Sequence, residues 1–161
     1  MQNTFVIDFN SILQPTSVEF VQECKSRKSA LESASNLLSR RCEQLDARDL
    51  LEKLTAREEL GSTALDDSGV AIPHCRDDHC SFPAAVLLRV EPDVQFGPDE
   101  YVKLIMALVV PNKETSSHLE ILKTVALVCS QESNMVRLLE ASSSTELHST
   151  FMQLVNEVSA S

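Results

Sequence analysis

The 161-residue chain predicts an α/β fold, a small sheet with helices on both of its faces. Three observations lead there. Helix-period apolar patterns flank a central block of strand-like segments, in the order β-α-α-β-β-β-α-α-α. The last strand candidate, Val102 to Val110, is apolar on both faces, as a central strand covered from each side must be. The length suits a single domain over residues 1–161, large enough for a sizeable core.

Each element has its own signal. Residues 1–17 show no sustained period, and Phe5, Val6, Ile7, Phe9 and the pair Ile12-Leu13 read as an arm, over residues 1–12, or a short turn packed on the domain. Gln14-Pro15-Thr16 closes that segment as a turn. Val18-Glu19-Phe20-Val21 is a short strand. From Ser26, the residues Ala30, Leu31, Ala34, Leu37 and Leu38 form one helical face, ending in Arg40-Arg41, cations suited to a helix C-terminus. A second helix spans about Asp46 to Glu59, with Leu50, Leu51 and Leu54 inward. Strands follow at Val70-Ala71-Ile72, Ala84 to Leu88 and Val102 to Val110, separated by turns at Glu91-Pro92-Asp93 and Gly97 to Glu100. Three helices finish the chain. The first opens with Ser117 and Glu120 at capping-box spacing and turns Leu119, Leu122, Ala126 and Cys129 inward. The second covers about Glu132 to Glu140 around Met135, Leu138 and Leu139. The third opens with Ser143 and Glu146 and buries Leu147, Phe151, Leu154 and Val155, leaving His148 on the solvated side.

Composition excludes several function classes. A formal net charge of −10 argues against a general nucleic-acid binder and against adhesion to an anionic membrane surface. The segment MQNTFVIDFN has no basic n-region and carries Asp8, so it does not read as a secretory signal. The longest clean apolar run, Leu104 to Val110, is too short to span a bilayer. The expected location is cytoplasmic, with no membrane insertion. Five cysteines without a disulfide rhythm fit a reducing compartment.

The chemistry concentrates in Arg57 to Cys80. Arg57 stands near a helix end, followed by Gly61-Ser62-Thr63, and together they make a cradle for an anion. Ser62 and Thr63 would donate hydroxyl hydrogen bonds to that anion or cap the turn. His74 follows a strand and Pro73, so it sits on stiff backbone. A positioned neutral imidazole is a nucleophile or an acid–base group near pH 7. His118 falls in the first turn of its helix, where the positive helix end disfavours imidazolium and suits an anion.

The combination Arg57-Glu58-x-x-Gly61-Ser62-Thr63, then Gly69-Val70-Ala71-Ile72-Pro73-His74, resembles the signature of enzyme IIA domains of the fructose/mannitol class. These belong to the bacterial phosphoenolpyruvate-dependent phosphotransferase system, and the pattern is most similar to the soluble nitrogen-regulatory branch. The resemblance runs from about Leu13 to Val155. It implies a three-layer α/β/α sandwich around a mixed sheet. It implies phosphorylation of His74 by the phosphohistidine of a small carrier protein resembling HPr. His118-Leu119 matches the family pattern that places a second His against the active one, with Arg57 and His118 steadying the phosphoryl oxygens. No metal or organic cofactor is implied, and regulation of partner proteins by phosphorylation state is.

The sequence departs from the family at three places. The loop Ala64-Leu65-Asp66-Asp67-Ser68 replaces the usual glycines with acid, Cys75-Arg76 follows the active His, and the segment Phe96 to Val102 is shorter. The acidic loop motivates an alternative, an interaction module of the same fold that has lost phosphotransfer. A further alternative is a zinc site from His74, Cys75, His79 and Cys80, which hold the right atoms at poor spacing, since strand neighbours point to opposite faces.

Overall fold

The computed structural model describes residues 8–113 and 116–160, without the side chains of residues 116, 117 and 160. The elements run α1 (Phe9–Ile12), a 3-10 turn (Pro15–Ser17), β1 (Val18–Val21), α2 (Arg27–Ser39), α3 (Ala47–Glu59), β2 (Val70–Ala71), β3 (His74–Asp77), β4 (Ala84–Gly97), β5 (Glu100–Pro111), α4 (Ser116–Cys129), α5 (Glu132–Leu139) and α6 (Ser144–Ala160). The sheet is mixed. β4 and β5 are antiparallel at its centre, β1 runs parallel to β4, and β2 and β3 both run parallel to β5.

Successive side chains of the central strands feed two separate cores. Ala85, Leu87, Leu104, Met106, Leu108 and Val110 pack with residues of α1, α4, α5 and α6. Ala84, Val86, Leu88, Ile105, Ala107 and Val109 pack with residues of α2 and α3. This is the expected α/β/α sandwich, with β5 covered on both sides. Among the described residues no helix is long and apolar enough to cross a membrane.

The helix starts follow their capping residues. Ser26 Oγ accepts from the Ser29 amide at 3.0 Å, and Asp46 Oδ2 from the Asp49 amide at 2.9 Å. At α6, Ser143 Oγ accepts from the Glu146 amide at 3.1 Å, but the Glu146 carboxylate turns to the amide and hydroxyl of Ser142 instead of Ser143. The Ser117 cap lies outside the described side chains. Arg40 is the C-cap of α2, while Arg41 reaches away, donating to the carbonyls of Ser11, Ile12 and Ala85. Those bonds tie the chain before β1 to the sheet.

Several elements differ from the sequence reading. The order gains α1 and β3. Phe9 and Ile12 of α1 are buried, with the Phe9 ring 6.0 Å from that of Phe151 in α6; a single turn is too short to show a period. Phe5, Val6 and Ile7 lie outside the described residues. β4 runs on past Leu88, and Glu91-Pro92-Asp93 is a shift of register inside it. Leu51 is half-buried, its neighbours Leu50 and Leu54 fully. His148 is not a solvated surface residue, because its Nε2 lies 2.9 Å from the Leu13 carbonyl. The phase of α4 is corrected most. Its inner face is His118, Ile121, Val125, Val128 and Cys129, and Leu119 is 66% exposed. Leu119-Glu120-Ile121-Leu122 offers two apolar stripes, and Ile121 with Val125 and Val128 wins the core.

Candidate functional site

β2 and β3 are one path along the edge of β5, interrupted at Ile72-Pro73. The register against β5 is the same on both sides of the break, Ala71 opposite Ile105 and His74 opposite Leu108. Pro73 has no N–H to give a ladder, but its carbonyl accepts from the Leu108 amide at 2.9 Å. Residues opposite one another in a parallel pair share a face. Leu108 and Val110 point towards α4, so His74 and Arg76 do too. Cys75 and Asp77 point into the α2/α3 side, where Cys75 joins the apolar core. β3 reads poorly as a strand in sequence because His74, Arg76 and Asp77 leave only one apolar residue in it.

His74 is oriented by two contacts. Its Nδ1 lies 2.7 Å from the Ile72 carbonyl oxygen. A carbonyl only accepts, so Nδ1 carries the proton and Nε2 carries the lone pair. Arg57 Nε lies 3.4 Å from that Nε2, a long contact, while Arg57 Nη1 donates to the Gly61 carbonyl at 2.8 Å. Gly61 holds φ 149°, a conformation that side-chain-bearing residues rarely adopt, and so turns its carbonyl back to the helix end. Burial lowers the His74 pKa; the Ile72 carbonyl works against this, and the Arg57 charge adds to the lowering.

His118 enters from α4, on the opposite layer from Arg57. Its ring stands edge-on to that of His74, with centroids 5.1 Å apart. Burial first, then His74 and Arg76, lower its pKa to about 4. Its Nδ1 is buried and has no hydrogen-bond partner among the described residues. A cleft of about 600 Å³ opens over these groups, lined by Lys53, Ala56, Arg57, Leu60, His74, Cys75, Arg76 and His118. A cleft of similar size between α2 and α3, about 630 Å³, has a mostly apolar lining and no His or Cys.

Ser62 and Thr63 do not face this cleft with free hydroxyls. Ser62 Oγ accepts from the Ala64 amide at 3.1 Å, as a turn cap. Thr63 is buried, and its amide and hydroxyl both donate to the carboxylate of Glu58, at 3.0 and 2.5 Å. Glu58, only 2% exposed, belongs to the motif but has no role in the sequence reading. It begins a relay of bonds: Glu58 holds Thr63, the Thr63 carbonyl accepts from the Ile72 amide at 3.2 Å, and the Ile72 carbonyl orients His74. The signal available was the Arg57-Glu58 pair at a helix end. On the other side of β3, Lys53 donates to the buried Asp77 at 2.8 Å and so fastens α3 to the strand that bears His74.

Asp66 and Asp67 turn elsewhere. They are exposed and line a separate cleft with Ala126, Ser130 and Glu132. His79 Nδ1 lies 3.1 Å from Asp77, Cys80 is buried beside the Phe82 carbonyl, and burial pushes the Cys75 thiol up to about 12. Among the described residues no group of three His, Cys, Asp or Glu is placed to hold a metal ion.

Comparison with known proteins gives a consistent picture. The family described as "Phosphoenolpyruvate-dependent sugar phosphotransferase system, EIIA 2" matches residues 11–153. A nitrogen regulatory protein of Pseudomonas aeruginosa is 35% identical over 133 residues, 81% of this chain and 86% of that protein. The mannitol-specific phosphotransferase enzyme IIA component of Bacillus subtilis is 26% identical over 150 residues, 89% of this chain and 98% of that protein. Among solved structures, nitrogen regulatory protein IIA-Ntr from Neisseria meningitidis has a TM-score of 0.82 at 36% identity, covering 89% of this chain and 98% of that one. IIA mannitol from Escherichia coli shares the fold, with a TM-score of 0.69 at 18% identity over 91% of this chain and 99% of that one.

Proposed function

The chain belongs to the phosphoenolpyruvate-dependent sugar phosphotransferase system EIIA 2 family, and on that premise we propose that His74 is the residue on which it carries a phosphoryl group. The donor in this reading is the phosphohistidine of a small HPr-like carrier. The reading extends to regulation of partner proteins by phosphorylation state, supported by the similarity to proteins named nitrogen regulatory.

The observation that carries the reading is the orientation of the His74 ring. Its proton is committed to Ile72, and its lone pair on Nε2 meets the Arg57 guanidinium in an open cleft. In the transfer, that lone pair attacks phosphorus in line, the donor's P–N bond breaks, and the bonding pair returns to the donor ring. The His74 ring then holds the phosphoryl group on Nε2 and the proton on Nδ1, with the Ile72 carbonyl against the positive charge that develops. Arg57 supplies charge to the phosphoryl oxygens, and the neutral ring of His118, set edge-on against His74 in the same cleft, supplies a hydrogen-bond donor. Leu60 and Leu119, 86% and 66% exposed, offer apolar contact to an incoming protein beside the cleft. Thr63 acts in this reading through Glu58 and the loop, and Ser62 through the turn.

The alternatives lose their motivation. The acidic residues that argued against phosphotransfer line a different cleft. The four zinc candidates divide between the two sides of β3 and its following turn. The test is incubation with phosphoenolpyruvate, the general kinase of the system and its carrier, followed by mapping of acid-labile phosphate. Label on His74 that disappears in His74→Ala is expected. Absence of label, or label that survives the substitution, overturns the reading.

A further inference from the structure

We propose that Arg76 is a second cation of the phosphoryl site, binding the phosphoryl oxygens from the α4 side of the cleft and stabilising the charged state once formed. This rests on His74 being the acceptor.

Strand parity places Arg76 on the same face as His74, two residues on, which is roughly 6.6 Å along the strand and within the reach of an arginine side chain. Arg76 lines the same cleft as His74 and His118. Its Nη1 donates to the Asn112 carbonyl at 3.2 Å, just past the end of β5, and the Asn112 side chain is in turn bonded to Asp78. That anchor uses one of the five N–H groups of a guanidinium and leaves the rest for a ligand. The charge is felt at both imidazoles, lowering each.

Among the described residues Arg57 and Arg76, like Arg27, Arg41, Arg48 and Arg89, meet no carboxylate within 4 Å, and of these six only Arg57 and Arg76 line the cleft with His74 and His118. Two unpaired guanidiniums beside one nucleophilic imidazole suit a dianionic phosphoryl group. Their positions differ in consequence. Arg57 touches Nε2, the reacting atom, whereas Arg76 contacts no atom of the His74 ring within hydrogen-bond distance and is exposed. Arg76 therefore acts on the phosphoryl oxygens of the product more than on the attack.

The experiment uses the full chain phosphorylated two ways, by the carrier and chemically by phosphoramidate, a small donor that needs no partner. Phosphorus NMR then follows the phosphohistidine against pH in the parent, Arg76→Gln and Arg76→Lys. The dianionic phosphoryl group of Arg76→Gln should take up a proton to become the monoanion at higher pH than the parent's. The equilibrium with the phosphorylated carrier should shift towards the carrier by roughly two- to fivefold, the scale of an exposed charge pair. Arg76→Lys should lie near the parent. Proton NMR of unphosphorylated Arg76→Gln serves as the folding control, with His118 titrating above its parent value. Should Arg76→Gln fail to fold, Arg76→Met takes its place. Unchanged phosphorus titration and unchanged equilibrium in a folded variant overturn the role of Arg76 alone. A parent chain that takes no phosphoryl group on His74 from either donor overturns the reading of His74 as well.

Discussion

The rings of His74 and His118 meet edge to face, planes at 84° and centroids 5.1 Å apart, although one hangs from the sheet edge and the other from α4. Burial lowers the pKa of each, His74 and Arg76 lower that of His118 further, and both are neutral at pH 7 by the direction of their shifts. A neutral pair presents one lone pair for attack and one ring to donate a hydrogen bond.

The pair has a stability signature. The folded pKa of His118 is about 4, against an ordinary value of 6.5. Between those limits the unfolded chain binds a proton that the folded chain refuses, so stability falls as pH drops through this window, by up to about 1.4 kcal/mol per pH unit. Urea midpoints at pH 7, 6 and 5 should drift downward in the parent and drift less in His118→Gln. Equal drift in both would refute the assignment.

Arg57 should be needed for rate. Replacement by Ala removes the guanidinium at Nε2 and the bond to Gly61, and transfer from the carrier should slow by about 10²-fold. Arg57→Lys, a point charge without the fork, should recover only part of this. The His74 imidazole of Arg57→Ala should titrate at higher pH than the parent's, because a charge that lowers it is gone. An unchanged rate would remove Arg57 from the site.

Glu58 should matter at a distance. Glu58→Gln keeps the shape but can accept only one of the two Thr63 bonds, leaving a buried donor poorly served. A loss of about 1–3 kcal/mol in stability is expected. Transfer should slow while the apparent affinity for the carrier stays put, since Glu58 lies behind the cleft. A rise in KM with unchanged kcat would contradict the relay from Glu58 to His74.

The acidic loop should be neutral to transfer. Asp66→Asn with Asp67→Gly should leave the phosphorylation rate within about twofold, because both carboxylates face another cleft and screened charges act weakly beyond a Debye length. Asp67 holds φ 55°, so Gly is the substitution that suits its backbone. A large acceleration would show that these charges do repel the phosphoryl group.

The architecture was legible because its signals are redundant. Ser26, Asp46 and Ser143 mark helix starts, and the two-sided apolar run of β5 demands helices on both faces. His74, Arg57 and His118 were legible through motif and helix-end position, and the fold brings them to one cleft. What escaped was what depends on rotation or on a partner. Leu119 and Ile121 compete for the core of α4, and only packing decides for Ile121, which also turns His118 inward. β3 has too few apolar residues to announce how far it runs, so Arg76 was not placed on the face of His74. The hydroxyl of Thr63 had two plausible uses, and a buried carboxylate five residues earlier took it.

The carbonyl of Pro73 receives the amide of Leu108, a residue with no solvent exposure. That amide is held by the edge path that carries His74, so the exchange of its hydrogen reports whether this edge is seated on β5. The imidazole one residue further on shares that seating, and a single backbone amide of a buried strand thus becomes a probe of the nucleophile's geometry.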